Sequence, residues 1–202
     1  MALNEVRSNS ETRRRDIVHV ARKLFAERGY AATTMDDVAE AVKFSKPIVY
    51  QSFPSKESLY HEIVVETAQQ LLASLAEATQ TADPRDKVES AFRVYFRLVT
   101  EETDAYRILF LHSHEGERAA ELRNVELSLI SFIEPQLAAG ISDEHRRLLA
   151  AAVVGMAEGA SVSWLVRQEA QGWPELSGGE ADRLASQIAT LAWGGLRAVH
   201  GD

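Results

Sequence analysis

Residues 33–53, TTMDDVAEAVKFSKPIVYQSF, with PSKESLY at 54–60, form the stretch whose reading decides the fold. Thr34-Met35-Asp36-Asp37 is a capping-box pattern, with Asp37 in the place usually held by Glu or Gln, so a helix is expected to start there. Met35, Val38, Ala39 and Val42 make its apolar side, and Lys43-Phe44 interrupt the pattern. Ser45 can cap a second short helix with Pro47 in its first turn, where a missing N–H costs nothing. That helix runs to about Phe53. Pro54 breaks it, and Ser55 caps a longer helix with Glu57 near its positive end. Two short helices joined by a tight turn, the second presented for groove insertion, form a helix-turn-helix. Ala39 supplies the small residue required where the pair approaches closely, and Val42 and Val49 can pin it.

Working outward, Ile17, Val20, Ala21, Leu24 and Phe25 share one face of a helix expected over 11–28, and Gly29 stops it. Downstream, a helix from Lys56 to near Ala78 carries Leu59, Ile63, Leu71, Leu72 and Leu75. Further helices are expected at about 84–101, 104–114, 117–139, 143–170 and 180–199. Asp83-Pro84, Ser142-Asp143-Glu144 and Ser177-Gly178-Gly179-Glu180 mark helix starts, and Pro135 should kink or end the 117–139 segment. No sustained period-2 alternation argues for strand. The expected fold is all-α with about nine helices: a helix-turn-helix head over 1–60 and a helical body over 61–202. The join lies inside the fourth helix, so movement of that helix would tilt the head.

Composition agrees. Only 11 Gly and 5 Pro stand in 202 residues, which permits long helices, and 46% hydrophobic residues can bury a substantial core. The absence of cysteine excludes disulfides and thiolate metal sites and is compatible with a reducing, cytoplasmic location. The first residues, MALNEVRSNSETRRRD, have no apolar core of the kind a signal peptide needs. Leu148–Val166 approaches membrane-span length, but Gly155, Gly159, Ser161, Ser163 and Glu158 favour a packed helix with no membrane partner. The net charge of −8 is unevenly spread: residues 1–60 hold 10 Lys/Arg and 8 Asp/Glu, the rest 12 and 22. A basic-leaning head on an acidic body is the asymmetry expected if only the head meets phosphate.

The chain resembles the TetR family of bacterial regulators. The resemblance rests on Phe25, Gly29-Tyr30, Thr34-Met35-Asp36-Asp37-Val38-Ala39, Ser45-Lys46-Pro47, Val49-Tyr50, Phe53 and Ser55-Lys56-Glu57-Ser58-Leu59. It departs at Lys43, where the turn usually has Gly, and at Ile48, where Thr or Ser is common. A non-Gly residue at positive φ costs roughly 1 kcal/mol. The resemblance implies that the protein binds palindromic operator DNA as a homodimer, usually as a repressor. It implies phosphate contacts for Tyr50, Lys56 and the cap Thr34, and places Pro47 in the DNA-binding segment. Lys46 and Gln51 are the candidates for base edges, Lys for guanine and Gln for adenine. Arg13, Arg14 and Arg15 read either as further phosphate contacts or as a solvated charge run, and Phe53 as core.

In the body, Leu148, Ala152, Gly155, Gly159, Val162 and Val166 share one helix face, and Gly194 and Gly195 interrupt the apolar pattern of the last helix. The family resemblance implies a four-helix dimer interface here, with Gly155, Gly159, Val162, Val166, Leu191 and Gly195 in contact. The opposite face shows Leu149, Val153, Met156, Ala160 and Trp164. With Phe92, Tyr95, Phe96, Leu129, Phe132 and Ile133 these suit an apolar effector pocket, or ordinary core. The segments AYRILF (105–110), VGMAEGASVSW (154–164) and LAWGGL (191–196) are similar to actinobacterial lipid-metabolism regulators of this family, which implies a fatty acyl-CoA effector.

Catalysis has no visible residues. The adjacent His112-Ser113-His114-Glu115 makes a poor metal site, because an i, i+2 pair on a helix points roughly 200° apart, and no cofactor is expected. Glu158 shares a helix side with Arg147, Ser161 and Glu169, so a surface or rim position is expected. The rival to an effector-controlled regulator is a helical lipid or acyl carrier with a vestigial helix-turn-helix, which Lys43 and Ile48 would favour.

Overall fold

The computed structural model describes residues 2–111, 118–137, 140–172 and 179–199. Among these the chain is all-α: α1 Ala2–Ala32, α2 Met35–Val42, α3 Lys46–Ser52, α4 Lys56–Ala78, α5 Pro84–Glu101, α6 Thr103–Tyr106, α7 Arg118–Ile133, α8 Asp143–Ala170 and α9 Glu180–Leu196. α6 continues as a π-helical turn over Arg107–Leu111. The starts follow the local chemistry. Thr34 accepts from the Asp37 N–H at 3.1 Å while its own N–H donates to the Asp37 carboxylate at 2.7 Å. Asp83 accepts from Arg85 and Asp86, with Pro84 in the first turn of α5, and Ser142 accepts from His145. α7 ends at Ile133 and tightens into a 3-10 turn over Glu134–Gln136, as Pro135 requires. The His112–Glu115 cluster and Ser177-Gly178 lie outside the described residues.

α1 is longer than its apolar pattern. Its backbone is helical back to Ala2 and resumes beyond Gly29 as far as Ala32. Gly29 breaks the helix at φ 78°, ψ 162°, a conformation that a side chain strongly disfavours.

Two compact units result: Met1–Ala68 with Asp104–Leu122, and Gln69–Thr103 with Arg123–Asp202. The expected boundary at residue 60 falls inside α4, whose residues are divided between the two units. The first unit packs α1 against α2, α3 and the π-helical turn around Ile17, Phe25, Val38, Val49, Phe53 and Ile63. Tyr60 of α4 donates to the Ile108 carbonyl at 2.9 Å. That bond ties residues 104–111 to the helix-turn-helix, a grouping that no local pattern announces.

The second unit is centred on α5, which packs along α9 and touches α8. Arg93 of α5 pairs with Asp182 at the start of α9 at 2.9 Å. The buried stripe of α8 is Ala150, Val154, Ala157, Ser161, Trp164, Leu165 and Gln168. The Trp164 indole donates to Glu180 at 3.0 Å, and Glu180 also pairs with Arg183. Those bonds, Arg183 first, hold the Glu180 carboxyl below its ordinary pKa.

Candidate DNA-binding and effector sites

The helix-turn-helix is built as its residues require. Lys43 itself takes the left-handed conformation, φ 60° and ψ 32°, and its N–H closes onto the carbonyls of Ala39 and Glu40. The absent glycine is therefore met by strain and not by a different turn. Ala39 and Val49 are buried between the helices, and Phe53 is wholly buried as core.

The outer side of α3 presents Lys46, Pro47, Tyr50 and Gln51 together, with Tyr50 47% exposed despite its ring. Lys46 is paired with Asp36, Nζ to Oδ2 at 2.6 Å, and that bond raises its pKa. Thr34 is exposed, but its hydroxyl donates to Asp37 at 2.6 Å as well as capping α2. Ile48 is half-buried and offers the apolar contact that a hydroxyl would not.

Two cations are placed otherwise than as free phosphate ligands. Lys56 donates to the carbonyls of Tyr30 and Thr33, at 2.8 and 2.9 Å, and lies 4.1 Å over the Tyr30 ring. Arg14 pairs with Glu62 at 2.9 Å, donates to the Ser52 carbonyl at 2.8 Å and stacks 4.1 Å over Phe53. Arg14 thus holds the end of α3 between α1 and α4. Of the Arg13–Arg15 run, only Arg15 is fully exposed. Sequence reasoning missed both clamps because their partners are largely backbone carbonyls distant along the chain.

The second unit contains a cavity of about 400 Å³. Phe92, Tyr95 and Phe132 line it, as do Leu129, Ile133, Leu149 and Val153. Phe96, Met156, Ala160 and Trp164 do not. Phe96 and Trp164 are buried in core instead. The cavity meets α8 only in its first half, through Leu149, Val153, Val154 and Ala157, and extends to Trp193, Leu196 and Arg197 at the end of α9. The stripe read from hydropathy lies one residue off the buried stripe for most of its length: Leu149 and Val153 reach the cavity and Trp164 is buried, while Met156 and Ala160 do not line it.

Opposite that stripe, α8 is bare. Leu148, Val162 and Val166 are 67%, 44% and 61% exposed, and Leu191 of α9 is 65% exposed. Gly155, Gly159, Gly194 and Gly195 are exposed too, and a Cβ at any of them would meet nothing within 4 Å. Packing within the chain therefore does not require these glycines.

Residues 17–63 match the family model of bacterial regulatory proteins, tetR family. The chain carries the TetR-family DNA-binding region over those residues. It is 24% identical over 194 residues to the HTH-type transcriptional activator FasR of Mycolicibacterium smegmatis, covering 94% of this chain and 85% of that protein. Its fold is similar to FadR from Bacillus subtilis in complex with stearoyl-CoA, with a TM-score of 0.75 at 15% identity, covering 92% of this chain and 98% of that one. It is also similar to AibR in complex with isovaleryl coenzyme A and operator DNA, with a TM-score of 0.65 at 22% identity, covering 89% and 97%. A TetR-family regulator binds DNA and is not an enzyme.

Two further features bear on the body of the chain. α8 is long and apolar enough to cross a membrane by length and composition, but it carries Glu158 and packs on α5 and α9. Glu158, for which a surface or rim position was expected, is partly withdrawn from solvent. It is half-buried, one carboxylate oxygen lacks a partner among the described residues, and burial, with Glu126 adding repulsion, lifts its pKa to about 7.

Proposed function

We propose that the protein is an effector-controlled transcription regulator. It binds a palindromic operator as a homodimer and changes its DNA affinity when an apolar molecule, with fatty acyl-CoA the first candidate, enters the body. The observation that carries this is the cavity of about 400 Å³, walled by Phe92, Tyr95, Phe132 and aliphatic residues, in the same chain as an intact helix-turn-helix. Its size falls within the range of small-molecule sites. The stearoyl-CoA and isovaleryl-CoA complexes of FadR and AibR, and the AYRILF, VGMAEGASVSW and LAWGGL segments, support an acyl-CoA. A cytoplasmic location goes with this role.

The bare face of α8 and α9 supports the homodimer. Each interior helix glycine costs roughly 1 kcal/mol against alanine, and no close contact among the described residues repays that at four positions. A second copy laid on the same face, around a two-fold axis, would. The carrier reading loses its main support, because Lys43 preserves the left-handed turn that presents α3.

The test is fluorescence anisotropy with DNA from the gene's own upstream region, with and without palmitoyl-CoA. Acyl-CoA should change DNA affinity, and operator should change acyl-CoA affinity by the same factor, because coupling is reciprocal. Acyl-CoA binding that is equal with and without DNA would make the cavity a passive store.

A further inference from the structure

The cavity wall carries two cations that the apolar-effector reading leaves idle. Lys87 stands in α5 and Arg197 caps α9, and both line the cavity. α5 and α9 run antiparallel: Arg93 meets Asp182 near the start of α9, while Pro84 and Lys87 share the cavity with Leu196 and Arg197 at its end. The two cations therefore sit toward one end of the helix pair, with Phe132, Leu149 and Val153 forming apolar wall.

Neither cation is committed. Lys87 and Arg197 form no ion pair or side-chain hydrogen bond among the described residues, whereas Arg93, Arg146, Arg147 and Arg183, which do not line the cavity, pair with acids. Among the described residues no Asp or Glu lines the cavity, although residues 61–202 hold 22 acids against 12 Lys and Arg. A cavity wall that, among the described residues, carries two unpaired cations and no acid suits an anion. Charges beside low-dielectric walls act strongly, and Lys and Arg both bind carboxylate and phosphate oxygens.

We propose that Lys87 and Arg197 hold the anionic head of an amphiphile whose apolar tail fills the cavity. This rests on the apolar-effector reading and adds a charge requirement to it. The head is a carboxylate or a phosphate, as in a free fatty acid or an acyl-CoA.

Calorimetric titration of the full chain with palmitoyl-CoA, palmitate and hexadecanol tests the proposal, using the wild type and a Lys87→Gln, Arg197→Gln double variant. An anionic ligand should bind the wild type at least about tenfold more tightly than hexadecanol, as charge-assisted hydrogen bonds warrant. The double variant should lose that preference and keep its hexadecanol affinity. Preference for palmitate over palmitoyl-CoA identifies a carboxylate head, and the reverse a phosphate head. Wild-type protein that binds all three equally would overturn the charge requirement while leaving the apolar effector standing. A double variant that keeps the preference, or loses hexadecanol as well, shows that these residues do not read the head. Failure of all three ligands to bind removes the effector reading and this one with it.

Discussion

Lys46, at the first position of the recognition helix α3, is locked to Asp36 of the preceding helix by an ion pair of 2.6 Å. A lysine held by a carboxylate must release it to meet an anion or a base edge. Asp36→Asn frees Lys46 and removes a negative charge from the DNA-facing side. Operator affinity should rise by up to about fivefold, the size of an exposed ion pair. Anisotropy at several salt concentrations measures this, and an unchanged or weaker affinity would show that Asp36 positions Lys46 instead of restraining it.

Lys56 supports the end of α1 as well as any phosphate. Lys56→Ala deletes two bonds to carbonyls and a contact with the Tyr30 ring, so stability should fall by about 1–3 kcal/mol. Urea unfolding reads the loss. A variant of unchanged stability that only lowers the salt dependence of DNA binding would return Lys56 to a pure phosphate contact.

At Lys43 the left-handed turn makes opposite demands of different side chains. Lys43→Val should destabilise by about 1–2 kcal/mol, since a β-branched residue resists positive φ. Lys43→Gly relieves the strain but makes the unfolded chain more flexible, so a net gain below about 1 kcal/mol is expected. Thermal unfolding of the pair checks the ordering Gly, Lys, Val.

The bare face of α8 and α9 predicts assembly. Sedimentation at micromolar concentration should show a dimer, and a Gly159→Arg, Gly195→Arg variant should sediment as a monomer of about 22 kDa with its helicity intact. Space for both side chains exists within the chain, so loss of the dimer would not be a folding defect.

Glu158 gives stability a pH dependence. Its folded-state pKa of about 7 stands above the ordinary 4.5, so the folded chain holds the proton between those values and stability declines as pH rises through that window. Glu158→Gln removes the decline. It should stabilise the protein at pH 8 by about 1 kcal/mol, allowing for solvent screening of a half-buried group, and change little at pH 4. Equal effects at both pH values would show that the carboxylate is not strained by charge.

The helix-turn-helix was legible because its chemistry is local. Thr34 with Asp37, and Ser45 with Pro47, announce their helices within a single turn. The bare glycine face of α8 was legible too, since its residues repeat at helical spacing. The cavity was half-legible. Phe92 and Phe132 are large enough to suggest a wall, but which half of α8 faces it depends on how five helices meet. Trp164 drew attention by size and is core, held by Glu180 from sixteen residues away. Lys87 and Arg197 gave no signal at all, because a cation becomes conspicuous only when the fold places it on a cavity wall.

Trp193 lines the cavity, and the next two residues, Gly194 and Gly195, lie bare on the outside of the same helix. One turn of α9 therefore faces inward and outward at successive residues, so a side chain changed at Trp193 reshapes the wall, while one added at Gly194 or Gly195 thickens the outer surface.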